Sequence, residues 1–137
     1  MKPFVLNDDA LRKGWGGIGQ YWFSLKDYTI KDVAELAHLE RPEHISQSAY
    51  FVSIGYIPYF VVSDEEVMHS YVDTLTNQKL KAALSKIDED DYVESFWKYF
   101  NVYTQLSEGW QEFEDAYVLE KAQTWCKENA IEYTVNA

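Results

Sequence analysis

Two consecutive aromatic-rich segments between Tyr92 and Ile131 constrain the fold more than any other part of the sequence. In each segment, large apolar side chains recur at steps of three and four residues. The first series is Tyr92, Phe96, Tyr99, Phe100 and Tyr103, and the second is Trp110, Phe113, Tyr117, Ala122 and Trp125. This period places the side chains of a segment along one face of an α-helix. The pattern predicts two amphipathic helices whose apolar faces the rest of the chain must cover.

Capping signals predict two short helices in the N-terminal third of the chain. Asn7 stands before a predicted helix over residues 8–13, where its side chain can accept a hydrogen bond from a free backbone N–H. Thr29 and Asp32 have the spacing of a capping box, with Asp in place of the usual Glu or Gln. They predict a helix that runs to about residue 38.

A clearer capping box, Ser63 with Glu66, opens a predicted helix in the middle of the chain. Its predicted inward side chains are Val67, Met68, Tyr71, Val72 and Leu75. Another helix is predicted over residues 78–86, and the acidic run 88–91 then starts the first aromatic helix.

Residues that favour β-structure cluster at 50–54 and 59–62, on either side of a Gly-containing turn, and we predict a pair of strands there. Residues 131–135 alternate in the way that suits a short final strand. The predicted fold class is therefore α+β: a compact, mainly helical single domain over residues 1–137. It has a small antiparallel sheet built from parts of 21–25, 50–62 and 131–135.

The composition of the chain indicates where in the cell the protein is expected. With 137 residues, 47% of them hydrophobic, the chain is long enough for a core, and it lacks the run of about 18 apolar residues that a membrane helix needs. Residues 1–11 carry polar and acidic side chains where an export signal would be apolar. The single Cys126 cannot form an internal disulfide, so a cytoplasmic location is expected. We interpret Cys126 as a small apolar filler beside Trp125, in preference to a reactive thiol.

The net charge of −11 is unevenly distributed along the sequence. Residues 1–31 carry a net charge of +2, so the remaining residues carry −13. A field of this sign repels phosphate backbones and attracts basic proteins. Direct nucleic-acid binding is therefore not expected, and a basic protein partner is. The alternative is that the acidic side chains serve only solubility.

The glycine-rich stretch 14–19 has the spacing of a dinucleotide-binding turn, with Gly14, Gly16 and Gly19 in the glycine positions. That turn needs an apolar strand before it and a helix after it. Here the preceding residues are charged and helical, and Tyr21 follows in a predicted strand or loop. We therefore expect a structural turn or an aromatic interaction loop and assign no cofactor.

Two Glu-x-x-His pairs, Glu35 with His38 and Glu66 with His69, resemble parts of a di-iron site on a helix bundle. The segment between the pairs is predicted to be extended, which does not suit a four-helix bundle. We interpret both His residues as surface residues and assign no metal ligand. His44 has no nucleophile in an interpretable relation to it, and we assign no catalytic residue.

The C-terminal half also carries a series of residues that is similar to a known family. The series begins with the extended segment 56–63 that closes with a proline and a serine, followed by an acidic helix. It continues with Phe96, Tyr99, Trp110, Phe113, Asp115, Ala122, Trp125, Glu128, Asn129, Ile131 and Tyr133. Over residues 56–133 the chain resembles uncharacterised protein family 0158, a set of small bacterial proteins. It departs from the family at Ala130, where glycine is usual, and in a shorter turn between the aromatic helices. The resemblance implies a bacterial protein and no known activity or cofactor.

Two classes of function remain. The first is a non-enzymatic interaction or regulatory protein, for example an immunity or antitoxin protein that blocks a basic toxin. Its predicted contact residues are Trp15, Tyr21, Trp22, Asp88, Glu89, Asp90 and Asp91. The second is a small enzyme or ligand-binding domain with a site near the glycine-rich loop 14–19, where His38 or His69 would act as a base. A homo-oligomer is compatible with either class.

Overall fold

The computed structural model describes residues 2–135 of the chain. Its strands are β1 (Phe4–Leu6), β2 (Tyr21–Ser24), β3 (Ile30–Asp32), β4 (Tyr56–Pro58) and β5 (Tyr133–Val135). Its α-helices are α1 (Asp8–Arg12), α2 (Val33–Leu36), α3 (Gln47–Ser53), α4 (Asp64–Asp73), α5 (Gln78–Ser85), α6 (Tyr92–Val102), α7 (Thr104–Ser107) and α8 (Trp110–Glu128). Short 3-10 helices span Lys13–Gly16 and Glu89–Asp91. The mainly helical α+β class with a small antiparallel sheet is confirmed.

The chain divides into two compact units. Unit 1 consists of residues 2–61 and 119–135, and unit 2 consists of residues 62–118. Helix α8 contributes residues to both units. The assignment of residues 1–137 to a single domain stays a prediction.

Unit 1 is built around strand β2, the centre of a three-stranded antiparallel sheet in the order β3-β2-β4. Neighbouring side chains of a strand point to opposite faces of the sheet, and here both faces are covered. On one face Phe23 contacts the rings of Phe4 and Trp125, with centroids 4.9 and 5.2 Å away. On the other, Trp22 meets Phe51 of α3 at 5.0 Å. Strand β2 therefore lies within the core.

The predicted final strand is confirmed as β5, but its pairing differs from the prediction. β5 pairs in parallel with β1, with Phe4 opposite Tyr133 and Leu6 opposite Val135. The prediction that residues 131–135 join the antiparallel sheet is wrong. The two paired strands lie more than 120 residues apart in sequence, and a local sequence pattern cannot predict a pairing over that separation.

Unit 2 is helical, and its capping signals act as predicted. Ser63 and Glu66 form the capping box of α4. Four of the five predicted inward side chains of α4 are buried, namely Val67, Met68, Tyr71 and Val72. The hydroxyl of Tyr71 donates to the carbonyl oxygens of Leu106 and Glu108, 2.9 and 2.7 Å away, and so satisfies acceptors at the end of α7. This side chain fixes α7 against α4.

Two strand predictions in unit 1 are wrong. Residues 50–54 lie mostly in helix α3, which Ser46 caps through its side chain. Their β-favouring composition is overridden because the helix buries Phe51 against Trp22 and Leu36. Residues 59–62 form no regular element, although Tyr59, Phe60 and Val62 are buried there. The strand β4 occupies the predicted turn just before them.

The helix predicted from Thr29 begins later than expected. Residues 30–32 form strand β3, and only Val33–Leu36 is helical. Asp32 is the capping residue, and Glu35 completes the capping box. The hydroxyl of Thr29 instead donates to Asp27, at 2.7 Å. The capping box is therefore formed by Asp32 and Glu35, and not by Thr29 and Asp32.

Candidate functional site

Four consecutive carboxylates, Asp88 to Asp91, form an exposed acidic segment between α5 and α6 in unit 2. A 3-10 helix over Glu89–Asp91 gives this segment a defined backbone, with the N–H of Asp91 donating to the carbonyl of Asp88 at 3.0 Å. Neither Asp88 nor Asp91 makes a side-chain capping bond. Among residues 2–135, no ion pair of the structure involves the four carboxylates. They are therefore presented to solvent as a cluster of negative charge.

The charge of the chain is concentrated in unit 2. Its 57 residues include thirteen Asp and Glu and four Lys, a net charge of −9. The rest of the chain carries only −2, with ten acidic and eight basic side chains. The division of the chain into two units therefore describes the uneven charge better than a division after residue 31 of the sequence.

An exposed aromatic side chain that the sequence reasoning missed lies on α6. The indole of Trp97 is 36% exposed, and its other side packs on Phe100 and Trp110, with ring centroids 5.1 and 5.8 Å away. Glu94, three residues earlier, is its neighbour on the helix surface. Trp97 is not part of the periodic series of apolar residues in this helix. An aromatic residue outside the buried face of a helix lies nearer to solvent, so this position could have indicated the exposure of Trp97 from the sequence.

A half-buried carboxylate, Glu114 of α8, adds to the negative potential of unit 2. Its burial raises the pKa of the carboxyl above the ordinary value of 4.5, and the charges of Asp64 and Asp115 raise it further. A hydrogen bond from Gln111 acts in the opposite direction. Ionisation of Glu114 therefore destabilises the folded state.

The substitution Glu114→Gln is expected to stabilise the protein at pH 7 by about 0.5 kcal/mol and to have no effect near pH 4. The folded protein holds the Glu114 proton more tightly than the unfolded chain does. The stabilisation that the folded protein gains from the protonated Glu114 side chain is therefore fully present below pH 4.5. It is lost as the pH rises through the pKa that Glu114 has in the folded protein. Urea unfolding at both pH values measures the difference. Glu112→Gln, at an exposed position of the same helix, is the control, and an equal gain from it would contradict the assignment.

The predicted aromatic contacts belong to unit 1, and the structure separates them by burial. Trp15 and Tyr21 are half-buried, and the amine of Lys13 lies 5.9 Å from the Tyr21 ring centroid. Trp22 is only 4% exposed, and its indole N–H donates to the carbonyl of Gly19 at 3.2 Å. Trp22 is therefore largely a core residue, and its role as a contact residue stays a prediction.

The glycine-rich loop has the opposite order of elements from a dinucleotide-binding turn. Its first residues belong to a 3-10 helix over Lys13–Gly16, and strand β2 follows it. Gly14 is buried, and a Cβ atom there would lie 2.4 Å from the ring of Phe60. A groove of about 280 Å³ lies beside the loop, lined by Ile18, Gly19, Trp22, Ser48, Ala49, Val52 and Pro58. These residues include no titratable side chain, so the groove gives no support to the enzyme hypothesis.

Three side chains of the two Glu-x-x-His pairs, those of Glu35, Glu66 and His69, make local contacts. Glu66 accepts hydrogen bonds from the Ser63 backbone N–H at 2.7 Å and from the Tyr117 hydroxyl at 2.8 Å. The ring of His69 stacks on Tyr92 at 3.9 Å. Glu35 accepts from the backbone N–H of Asp32 as part of the α2 capping box. Within the described part of the chain, no group of three or more His, Cys, Asp or Glu side chains is arranged to hold a metal ion.

Cys126 is fully buried in unit 1. Burial raises the pKa of its thiol to about 11, so the nucleophilic thiolate is scarce at neutral pH. The interpretation of Cys126 as an apolar filler is confirmed.

The chain matches no protein-family model, no curated protein and no solved structure. The resemblance of residues 56–133 to uncharacterised protein family 0158 therefore stays a prediction. Among the helices of residues 2–135, none is long and apolar enough to cross a membrane.

Proposed function

We propose that this protein is a non-enzymatic interaction or regulatory protein of the bacterial cytoplasm that binds a basic protein through unit 2. The observation that carries the proposal is the concentration of charge, with −9 of the total −11 in unit 2 and four exposed carboxylates side by side at Asp88 to Asp91. An immunity or antitoxin protein that neutralises a basic toxin is one form of this function.

Steering by the acidic surface is the first step of the proposed interaction. Exposed charges of one sign raise the association rate of a partner of opposite sign, and the same field repels nucleic acid. Carboxylates that served only solubility would need no such concentration. The uneven distribution between the two units therefore favours recognition over solubility alone.

Trp97 supplies the apolar part of the proposed contact. Interfaces take most of their binding free energy from a few aromatic or Arg side chains that are surrounded by polar groups. The Trp97 ring is held on one side by Phe100 and Trp110, so little side-chain entropy is lost when a partner covers the open side. The distance along α6 from its first residue, Tyr92, to Trp97 is about 7.5 Å, which places the ring within reach of a partner bound at Asp88 to Asp91.

Co-purification of the tagged protein from its own cytosol tests the proposal, with bound proteins identified by mass spectrometry. We expect a stoichiometric basic protein that is lost as salt is raised from about 50 mM to about 500 mM. Replacing Asp88, Glu89, Asp90 and Asp91 by the corresponding amides is expected to weaken its binding by at least about tenfold.

The matched control replaces four exposed acids of unit 1, namely Glu40, Glu43, Glu120 and Glu128, by glutamine. Both variants change the net charge by the same amount. The proposal requires the control to bind nearly as well as the unmodified protein. Equal losses in the two variants would assign the effect to net charge alone, and recovery of the protein without any partner at low salt would overturn the proposal.

A further inference from the structure

A protruding isoleucine and an apolar groove lie side by side on unit 1. Ile18 is 96% exposed, although it is among the most hydrophobic residues of the chain. It stands between Gly17 and Gly19, whose φ angles of 90° and 81° require glycine and shape a tight turn. A large apolar side chain held out in this way is normally covered by another surface.

The groove beside Ile18 has the size and chemistry to receive such a side chain. Its volume is about 280 Å³, and its walls are the exposed face of α3, the end of β4 and the ring of Trp22. A dry cavity of about 150 Å³ holds a molecule of benzene. The four-carbon side chain of an isoleucine is smaller than benzene and therefore fits the groove.

We infer that the occupant is a second copy of this chain, in a two-fold dimer in which each Ile18 enters the groove of the other copy. An isologous contact needs a patch that is complementary to itself. Here the protruding Ile18 side chain and the groove are parts of one patch, because Ile18 itself forms part of the groove wall.

Charge selects a second copy over the basic partner proposed for unit 2. The residues that line the groove include no charged side chain that could pair with a basic partner. Unit 1 carries a net charge of only −2, so two copies that meet through it experience less repulsion than copies that meet through unit 2. This contact belongs to unit 1 and is apolar, whereas the contact proposed for a basic partner belongs to unit 2 and is acidic.

Sedimentation equilibrium of the full chain tests the dimer, from about 20 μM to about 1 mM protein, because small interfaces associate weakly. The average mass is expected to rise above the monomer value of 16.1 kDa with increasing concentration. It should rise further when salt is raised from about 50 to about 500 mM, because salt screens the repulsion between acidic copies. Binding of the proposed basic partner has the opposite salt dependence, so the two proposals can fail independently.

The substitution Ile18→Asp is expected to return the chain to a monomer at every concentration, because the groove cannot solvate a carboxylate. Val102→Asp is the matched control, since Val102 is another exposed aliphatic side chain, 73% exposed and in unit 2, and it should leave the dimer intact. Circular dichroism verifies that both variants are folded. A monomer at all concentrations and salts, or a dimer that survives Ile18→Asp, overturns the inference. So does a monomeric chain in which Ile18→Asp abolishes capture of a different protein, because the groove would then serve that protein.

Discussion

Replacement of Phe96 by alanine is expected to lower the free energy of unfolding by about 4 kcal/mol. Phe96 is fully buried, and its ring lies 5.1 Å from Trp110 and 6.2 Å from Phe100. Alanine would remove the ring from this aromatic cluster and leave a cavity that the rigid neighbours cannot fill. Urea unfolding, followed by far-UV circular dichroism and tryptophan fluorescence, measures the loss.

The adjacent residue provides the control. Trp97→Ala removes a larger side chain, but the ring is 36% exposed, so the expected loss of stability is about 1.5 kcal/mol. The same substitution is expected to weaken binding of the basic partner by about thirtyfold, as for an aromatic residue at the centre of an interface. If Trp97→Ala destabilised the chain as much as Phe96→Ala, Trp97 would be a core residue and its proposed role as an anchor would be lost.

The helices of unit 2 could be predicted because their signals are local. Ser63 and Glu66 fix the start of α4 through bonds to backbone groups within three residues, and the period of the apolar side chains then fixes its buried face. The same holds for Asn7, whose side chain accepts from the N–H of Ala10 at 2.9 Å. In each case the residues that decide the structure are neighbours in sequence.

The errors arose where contacts between distant residues decide the structure. Residues 50–54 are helical because Phe51 packs on Trp22, which comes from a strand about thirty residues earlier. The parallel partner of β5 is β1, at the opposite end of the described chain. Trp22 and Trp97 are the same residue type, and only the burial of β2 on both faces distinguishes a core indole from an exposed one.

The candidate surface could be predicted only in part for the same reason. The sequence contains the run Asp88 to Asp91, and its exposure follows from its charge. Composition also reports the total charge, but the assignment of −9 to one unit requires the contacts that define that unit. The aromatic residues Trp15 and Tyr21, which were predicted as contact residues, belong to unit 1, whereas Trp97 belongs to the same unit as the acids.

Gly14→Ala is expected to lower the free energy of unfolding by about 2 kcal/mol, although alanine is the better helix former. The new Cβ atom would lie 2.4 and 2.5 Å from two carbons of the Phe60 ring. That ring is buried and packs on Tyr59, 4.8 Å away, and on Trp125, 6.4 Å away, so it cannot move without displacing the core. Thermal or urea unfolding measures the effect.

Gly16→Ala separates this packing role from a nucleotide-binding role of the same glycines. A Cβ atom at Gly16 would meet the ring of Tyr21 at 2.5 Å, but that ring is only half-buried and can turn aside, so the expected loss is below about 1 kcal/mol. In a dinucleotide-binding turn the second glycine, here Gly16, allows the backbone to approach the phosphates. Packing therefore makes Gly14 the more sensitive position for stability, whereas a nucleotide site would make Gly16 the sensitive position for ligand binding. Stability lost at Gly14 and retained at Gly16, with no change in melting temperature on addition of NAD or ATP, would establish that Gly14 is required for packing of the core and would contradict a nucleotide-binding role of the loop.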